Sequence, residues 1–458
     1  MKTNFLDEIV HAQKHGERRG IPSICSAHPW ALKAAMSRAG TGTTPSRAGT
    51  GTTTQEPLKV STIFRVLLIE STCNQVNQFG GYTGMAPAAF AAYVHGQTIE
   101  NGFPEERLIL GGDHLGPSPW QKEPAAGAMQ KAAEMVRAYV QAGYTKIHLD
   151  ASMRLGDDDP SRPLDLELIA RRTAKLARAA EESLACASAV GTGAKVPGPS
   201  QDLRYVIGSE VPIPGGATVH EEGVRVTRVE DARRTLEATQ AAFIHEGLEA
   251  AWERVIALVV QPGVEFGDDF VLDYRPSAAR HLARFAETIP FVYEAHSTDY
   301  QTGKALRELV RDHFAIMKVG PALTFAFREA VFSLAMMENE LIAASERSRL
   351  VETLDETMLR EPASWKDHYH GTPEQMALAR KYSLSDRIRY YWGSPTVQAA
   401  LGRLFQNLGR KTLPMTLIRQ YLPVQLERIR SRRIENTPEA LVLDKIEAVL
   451  EVYTQACG

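Results

Sequence analysis

Eight short runs of residues that are apolar along their whole length, rather than on alternate positions, recur through the first three quarters of this chain. They fall at 21–27, 66–73, 108–113, 146–150, 204–210, 256–261, 291–294 and 314–319. A strand that is apolar on both faces is buried on both faces, which implies a parallel sheet covered by helices. Segments of helical period fill the intervals, at 29–39, 87–101, 124–142, 164–185, 229–246, 275–287, 304–311 and 322–340. Eight such units over about 320 residues predict a (β/α)8 TIM barrel with long loops above it. The competing architecture, an open doubly wound sheet, would place a Gly-rich turn after the first strand, and the chain has none there.

From residue 345 the strand-like runs stop. Helical patterns at 347–359, 373–382, 395–408, 422–433 and 437–456 follow, punctuated by Pro362, Pro395, Pro414 and Pro423. The predicted organisation is a barrel over 1–344 and an α-helical C-terminal extension over 345–458, packed on the barrel or on a partner subunit. A Gly/Thr-rich insertion at 37–57 interrupts the barrel; it repeats Ser-Arg-Ala-Gly-Thr-Gly-Thr-Thr from Ser37 and again from Ser46. Such a composition cannot bury a core and reads as a surface loop. As a phosphate cradle it lacks the Lys and the strand-to-helix setting. In the extension, the stretch Ser385 to Trp392 is rich in Arg and aromatics. It reads as helix packing, with an Arg reaching an anionic substrate as the alternative.

A formal net charge of −3 with both signs interspersed argues against a nucleic-acid surface. Cys25, Cys73, Cys186 and Cys457 form no C-x-x-C pair and read as reduced thiols. No apolar run approaches the roughly 18 residues of a membrane span, and the first residues lack a signal-peptide core. The expectation is a cytoplasmic protein without membrane or nucleic-acid partners.

In a parallel barrel the active site is built where strands meet the loops that follow them. Those tips carry Glu70 and the amides Asn74, Gln75, Asn77 and Gln78; then Asp113 and His114; His148, Asp150 and Ser152; Glu210; Gln261; Glu294, His296, Ser297 and Asp299; and Lys318. Ionisable groups crowded over one mouth are costly unless they bind something. His114, Glu210 and His296 make an N, O, N set for a divalent metal, zinc or manganese, with a position left for substrate. A ketose held there by its carbonyl and a neighbouring hydroxyl would have its enediolate stabilised. Asp113 would then transfer protons, with Glu294 and Lys318 as further catalytic groups. Asn74, Gln75, Asn77, Gln78, Asp150, Ser152, Gln261 and Asp299 would bind substrate hydroxyls. Gly80, Gly81, Gly84, Gly215 and Gly216 would let backbone N–H groups approach a phosphate. Lys318 also suggests a metal-free rival, an imine-forming nucleophile.

Four motifs carry a resemblance: Cys73 to Met85, Gly111 to Pro117, His148 to Met153, and Glu294 to Gln301. They resemble the D-tagatose-1,6-bisphosphate aldolase Z subunits of the GatZ and KbaZ type, some of which are labelled tagatose 6-phosphate kinases. The resemblance implies a TIM barrel, a role in galactitol or related ketose catabolism, and an accessory subunit for a separate catalytic class II aldolase chain. It leaves open a stand-alone retro-aldol enzyme or ketose 4-epimerase, and assembly into a homo-oligomer. That family is in turn similar to the metal-dependent class II aldolases. Asp113 and His114 match their strand-three pair, Asp150 and Ser152 their Asp-x-Ser, Glu210 their strand-five acid, and Lys318 with Val319 their strand-eight pair. Gln261 departs, standing where those enzymes carry a second metal-binding His. The duplicated loop looks like an insertion relative to the family. The kinase label finds no P-loop in the chain, and no nucleotide cofactor is expected.

Overall fold

The computed structural model describes residues 4–40, 66–189, 203–208 and 224–458. Among the described residues there are ten strands. Eight of them, β1 (Ile21–Ile24), β2 (Leu67–Thr72), β3 (Leu108–Leu115), β4 (Lys146–Leu149), β5 (Arg204–Ile207), β6 (Val255–Val259), β9 (Val292–Ala295) and β10 (Phe314–Val319), close a barrel. Its order is β1-β10-β9-β6-β5-β4-β3-β2, parallel at every pairing. Each falls on one of the eight apolar runs, as burial on both faces requires. The remaining two, β7 (Glu265–Phe266) and β8 (Val271–Leu272), pair antiparallel in the loop above β6. Two residues apiece are too short to show a period, and the sequence gives no warning of them. The duplicated Gly/Thr segment past residue 40, together with Glu210, Gly215 and Gly216, lies outside the described residues.

Inside the barrel the lowest side chains are apolar. Ile21, Leu68, Val206, Ile256, Val292 and Ile316 form one cluster with Leu6 and Ile9 of the N-terminal helix Phe5–Lys14. That helix is held by Asn4, whose side chain accepts the Leu6 N–H. A second, larger cluster lies between the strands and the surrounding helices.

The C-terminal helices join this second cluster. The last of them, Pro438–Cys457, packs on the helices Pro29–Gly40, Gly303–Arg311 and Pro321–Leu341 and on β1. Tyr453 donates its hydroxyl to the Thr298 carbonyl at 2.7 Å, fixing the loop above β9. Among the described residues no helix is long and apolar enough to cross a membrane.

Candidate functional site

Above the apolar layer the barrel interior turns charged. Glu70, Lys146, Glu294 and Lys318 point inward from β2, β4, β9 and β10, and all are buried. Lys146 Nζ lies 2.5 Å from Glu70 Oε1 and 2.6 Å from Glu294 Oε2. Lys318 contacts the other Glu70 oxygen and stands 2.9 Å from Asp113 Oδ2. Sheet register explains how two long side chains meet across an intervening strand. Gly111 of β3 pairs with Glu70 on one side and Lys146 on the other. A Cβ at Gly111 would come within 2.6 Å of Glu70 Oε1, so the missing side chain is the gap through which the pair forms.

One layer higher, β3 loses its regular register against β4 between Gly112 and Leu115. Consecutive strand residues normally face opposite ways. Here the irregularity, with His114 in the left-handed region at φ 49°, brings both Asp113 and His114 into the mouth. His114 Nδ1 is 2.9 Å from Asp150 Oδ2, and Asp150 in turn accepts from the Ser152 hydroxyl at 2.6 Å. His148 Nδ1 is 2.8 Å from Asp113 Oδ1, and His296 Nε2 is 3.0 Å from Glu294 Oε1. The rings of His114 and His296 meet edge to face with centroids 4.7 Å apart, and His148 lies 5.3 Å from His296.

Burial by itself would make Asp113 a weaker acid, but the charges of His114 and Lys318 and the His148 hydrogen bond outweigh it and hold the carboxyl well below its usual range. Against the same burial, Lys146 and Lys318 hold Glu294 down. Burial opposes charge on Lys318 too, yet Asp113, Glu70 and Glu294 raise its ammonium well above the ordinary value. An ammonium held this way offers no lone pair, which argues against the imine-forming role. His114 is likewise raised, Asp113 and Asp150 overcoming burial, whereas burial lowers His296 to about 4 and keeps it neutral. Cys25 remains a thiol because burial pushes it up.

Two contacts compete for His148 Nδ1, the Asp113 carboxylate and the His114 backbone N–H at 3.2 Å. One tautomer cannot serve both, and the shorter contact to an ionised carboxylate is the stronger. In the neutral ring this leaves the Nε2 lone pair, which is buried and has no partner among the described residues. Asp113, His148, Glu294 and His296 each offer one ligand atom, all within 4.8 Å of one another. Two imidazoles and two carboxylates are donors suited to a divalent ion.

These tips open into a cavity of about 590 Å³. Its walls include Asn74, Gln75, Asp113, His114, His296, Asp299 and Lys318 from the barrel, and Arg389, Tyr390 and Trp392 from the C-terminal segment. The family model for D-tagatose-1,6-bisphosphate aldolase subunit GatZ/KbaZ-like proteins matches residues 58–458. The chain belongs to this GatZ/KbaZ-like family. It is 50% identical over 453 residues to the D-tagatose-1,6-bisphosphate aldolase subunit GatZ of Klebsiella pneumoniae, covering 99% of both chains. The GatZ subunit of Salmonella typhimurium is 50% identical over 456 residues, with the same coverage. A crystal structure described as a probable tagatose 6 phosphate kinase from Sinorhizobium meliloti 1021 superposes with a TM-score of 0.81 at 42% identity, over 96% of this chain and 100% of that one.

Not every residue that the tips suggested reaches the mouth of this GatZ/KbaZ-like barrel. Asn77 folds its own loop, donating to the Cys73 carbonyl and accepting from the Phe79 and Gly81 N–H groups. Gln78 donates to the Lys131 carbonyl, and Gln261 Oε1 accepts from Gly263 and Val264 N–H. The hydrogen bonds of these amides go to backbone, and Gln78 Oε1 has no partner among the described residues. His114, expected as a metal ligand, is turned by Asp150, and the four-atom cluster takes His148 instead; Glu210, the third expected ligand, is outside the described residues. Lys146 was missed altogether. Its signal is the two-residue period Lys146, His148, Asp150, which puts all three on one strand face.

Proposed function

We propose that this chain is the Z-type subunit of a D-tagatose-1,6-bisphosphate aldolase, that it works with a separate catalytic class II aldolase chain, and that its barrel mouth binds a ketose or ketose phosphate beside a divalent ion. Identity of 50% over 99% of both chains with GatZ subunits carries the first part. The crowded mouth supports the second, since a purely structural partner has no need of an unpartnered His148 Nε2 among buried acids. Asp113, His148, Glu294 and His296 would hold the ion, with zinc the expected metal and manganese the alternative. When bound, such an ion supplies Lewis-acid polarisation of a substrate carbonyl.

A second reading, a stand-alone ketose 4-epimerase or aldolase acting by retro-aldol chemistry, is favoured by one group. Asp299 lines the cavity, and burial pushes its carboxyl up to about 6 although Oδ1 accepts the Gly320 and Ala322 N–H groups at 3.0 and 2.8 Å. A carboxyl near neutrality can take a proton from a sugar hydroxyl and return it. Lys318, held as an ammonium, and His114, whose charged form Asp113 and Asp150 favour, would stabilise negative charge on the sugar oxygens. The kinase description of the Sinorhizobium protein finds no matching phosphate loop in this sequence.

Purified protein is to be mixed with tagatose 1,6-bisphosphate, tagatose and fructose, with and without zinc or manganese, and then with a catalytic aldolase subunit added. Activity that rises only when that subunit is present supports the Z-subunit reading. Sugar conversion by this chain alone supports the second reading and displaces the first.

A further inference from the structure

Besides the histidines, four Asp, Lys or Arg side chains line the cavity, and three of them are engaged. Asp113 and Lys318 face each other at 2.9 Å, and Asp299 holds the backbone N–H groups of Gly320 and Ala322. Arg389 is the exception. Among the described residues no carboxylate stands at ion-pair distance from it. Asp386 sends its own carboxylate to Arg328 Nε at 3.1 Å and Thr324 Oγ1 at 2.6 Å, and gives Arg389 only its backbone carbonyl, at 3.2 Å.

A guanidinium has five N–H donors. In Arg389, Nη1 donates to the Ser385 and Asp386 carbonyls and Nη2 to the Tyr390 hydroxyl at 2.8 Å. Among the described residues the Nε–H and one Nη2–H have no acceptor, and Nε and Nη2 share the guanidinium edge that grips a phosphate with two prongs. Their direction is fixed by the protein. The guanidinium lies 4.5 Å from the Tyr390 ring centre, and Tyr82 meets that ring edge-on at 4.8 Å. The usual rival for an anion, the helix N-terminus at Gly320, is already capped by Asp299.

We propose that Arg389 is the phosphate-binding residue of this cavity, holding the phosphate monoester of a ketose phosphate whose sugar oxygens reach the strand tips. The proposal rests on the ketose-binding reading above and names the residue that tells a phosphorylated sugar from a free one.

Calorimetric titration of the full chain with tagatose 6-phosphate, tagatose and tagaturonate tests it, on wild type, R389K and R389Q, with melting curves to confirm folding. Wild type should bind tagatose 6-phosphate more tightly than tagatose. R389Q should lose roughly ten- to a hundred-fold of the phosphate ester's affinity, the worth of a charge-assisted hydrogen-bonded pair, and leave tagatose unchanged. R389K should keep part of the preference. Should R389Q fold poorly, Tyr390→Phe, which removes the hydroxyl that steadies Nη2, should weaken the ester by a smaller factor and spare tagatose. A phosphate preference that survives R389Q, equal binding of both sugars by wild type, or a stronger hold on tagaturonate overturns the Arg389 proposal while the ketose site stands. If no sugar binds, the ketose site falls. Inorganic phosphate then decides Arg389 alone: binding lost in R389Q supports it, and equal binding or none overturns it.

Discussion

The charged layer inside the barrel and the mouth above it contain similar residues and differ in completeness. In the layer, Lys146 is balanced by Glu70 and Glu294, and Lys318 by Glu70 and Asp113. In the mouth, His148 Nε2 has no partner and Arg389 meets no carboxylate among the described residues. A buried charge with its counter-ion in place holds strands together, whereas a buried cation or ring nitrogen without one retains the capacity to bind. Changes to the layer should therefore appear as stability, and changes to the mouth as ligand affinity.

The largest expected effect is in the layer. Lys146→Met removes the cation between two buried carboxylates and should cost about 3–5 kcal/mol, because Lys318 alone is left to balance both acids. Denaturant midpoints would show this, while Arg389→Gln should stay within roughly 1 kcal/mol of wild type, since its backbone contacts lie at a cavity wall. Equal losses in the two variants would erase the distinction between layer and mouth.

The same distinction shows what was legible in the sequence. The eight barrel strands could be read because a run buried on both faces has no polar interruption until its tip. Asp113, His114, Glu294, His296, Asp299 and Lys318 could be named because strand tips in a barrel converge, and the structure gathers them around one cavity or the layer just beneath it. Lys146 escaped notice because a lysine at the start of a strand looks like a solvated end; only closure of the barrel around Gly111 sets it between two acids. Asn77, Gln78 and Gln261 show the converse. An amide that builds a turn and an amide that reads a sugar are the same letter, and the hydrogen-bond partner decides. Arg389 belongs to the Arg- and aromatic-rich stretch from Ser385 to Trp392, which reads first as helix packing; only the fold, which brings that stretch back over the mouth long after β10, shows that Arg389 lines the cavity.

A pH measurement sharpens the mouth's side of the comparison. The Asp299 carboxyl sits at about 6 in the folded protein against an ordinary 3.8, raised by burial. The folded state thus holds its proton more tightly than the unfolded chain does, and the sign follows. This group's contribution is fully present below about pH 3.8 and is lost as pH rises through about 6. Asp299→Asn cannot ionise, so its stability relative to wild type should grow over that interval, by at most about 3 kcal/mol. Melting curves at pH 4.5 and 7.5 measure the change; a difference that does not vary with pH would mean that Asp299 is ionised throughout.

Gly111→Ala probes the layer without altering any charge. The added Cβ falls 2.6 Å from Glu70 Oε1 and 2.7 Å from its Cγ, so either that side chain or β3 must move. Glu70 is anchored by two lysines and cannot swing to solvent, since it is fully buried. Overpacking of this kind costs about 1–3 kcal/mol. Because the contact pulled apart is the one between Glu70 and Lys146, the cost should shrink when Lys146 is already Met, where Glu70 has lost its partner across the gap. A double-mutant cycle measures that coupling. Additive losses would show that Gly111 is needed for the backbone of β3 alone, and that the passage it leaves between β2 and β4 has no part in holding the charges together.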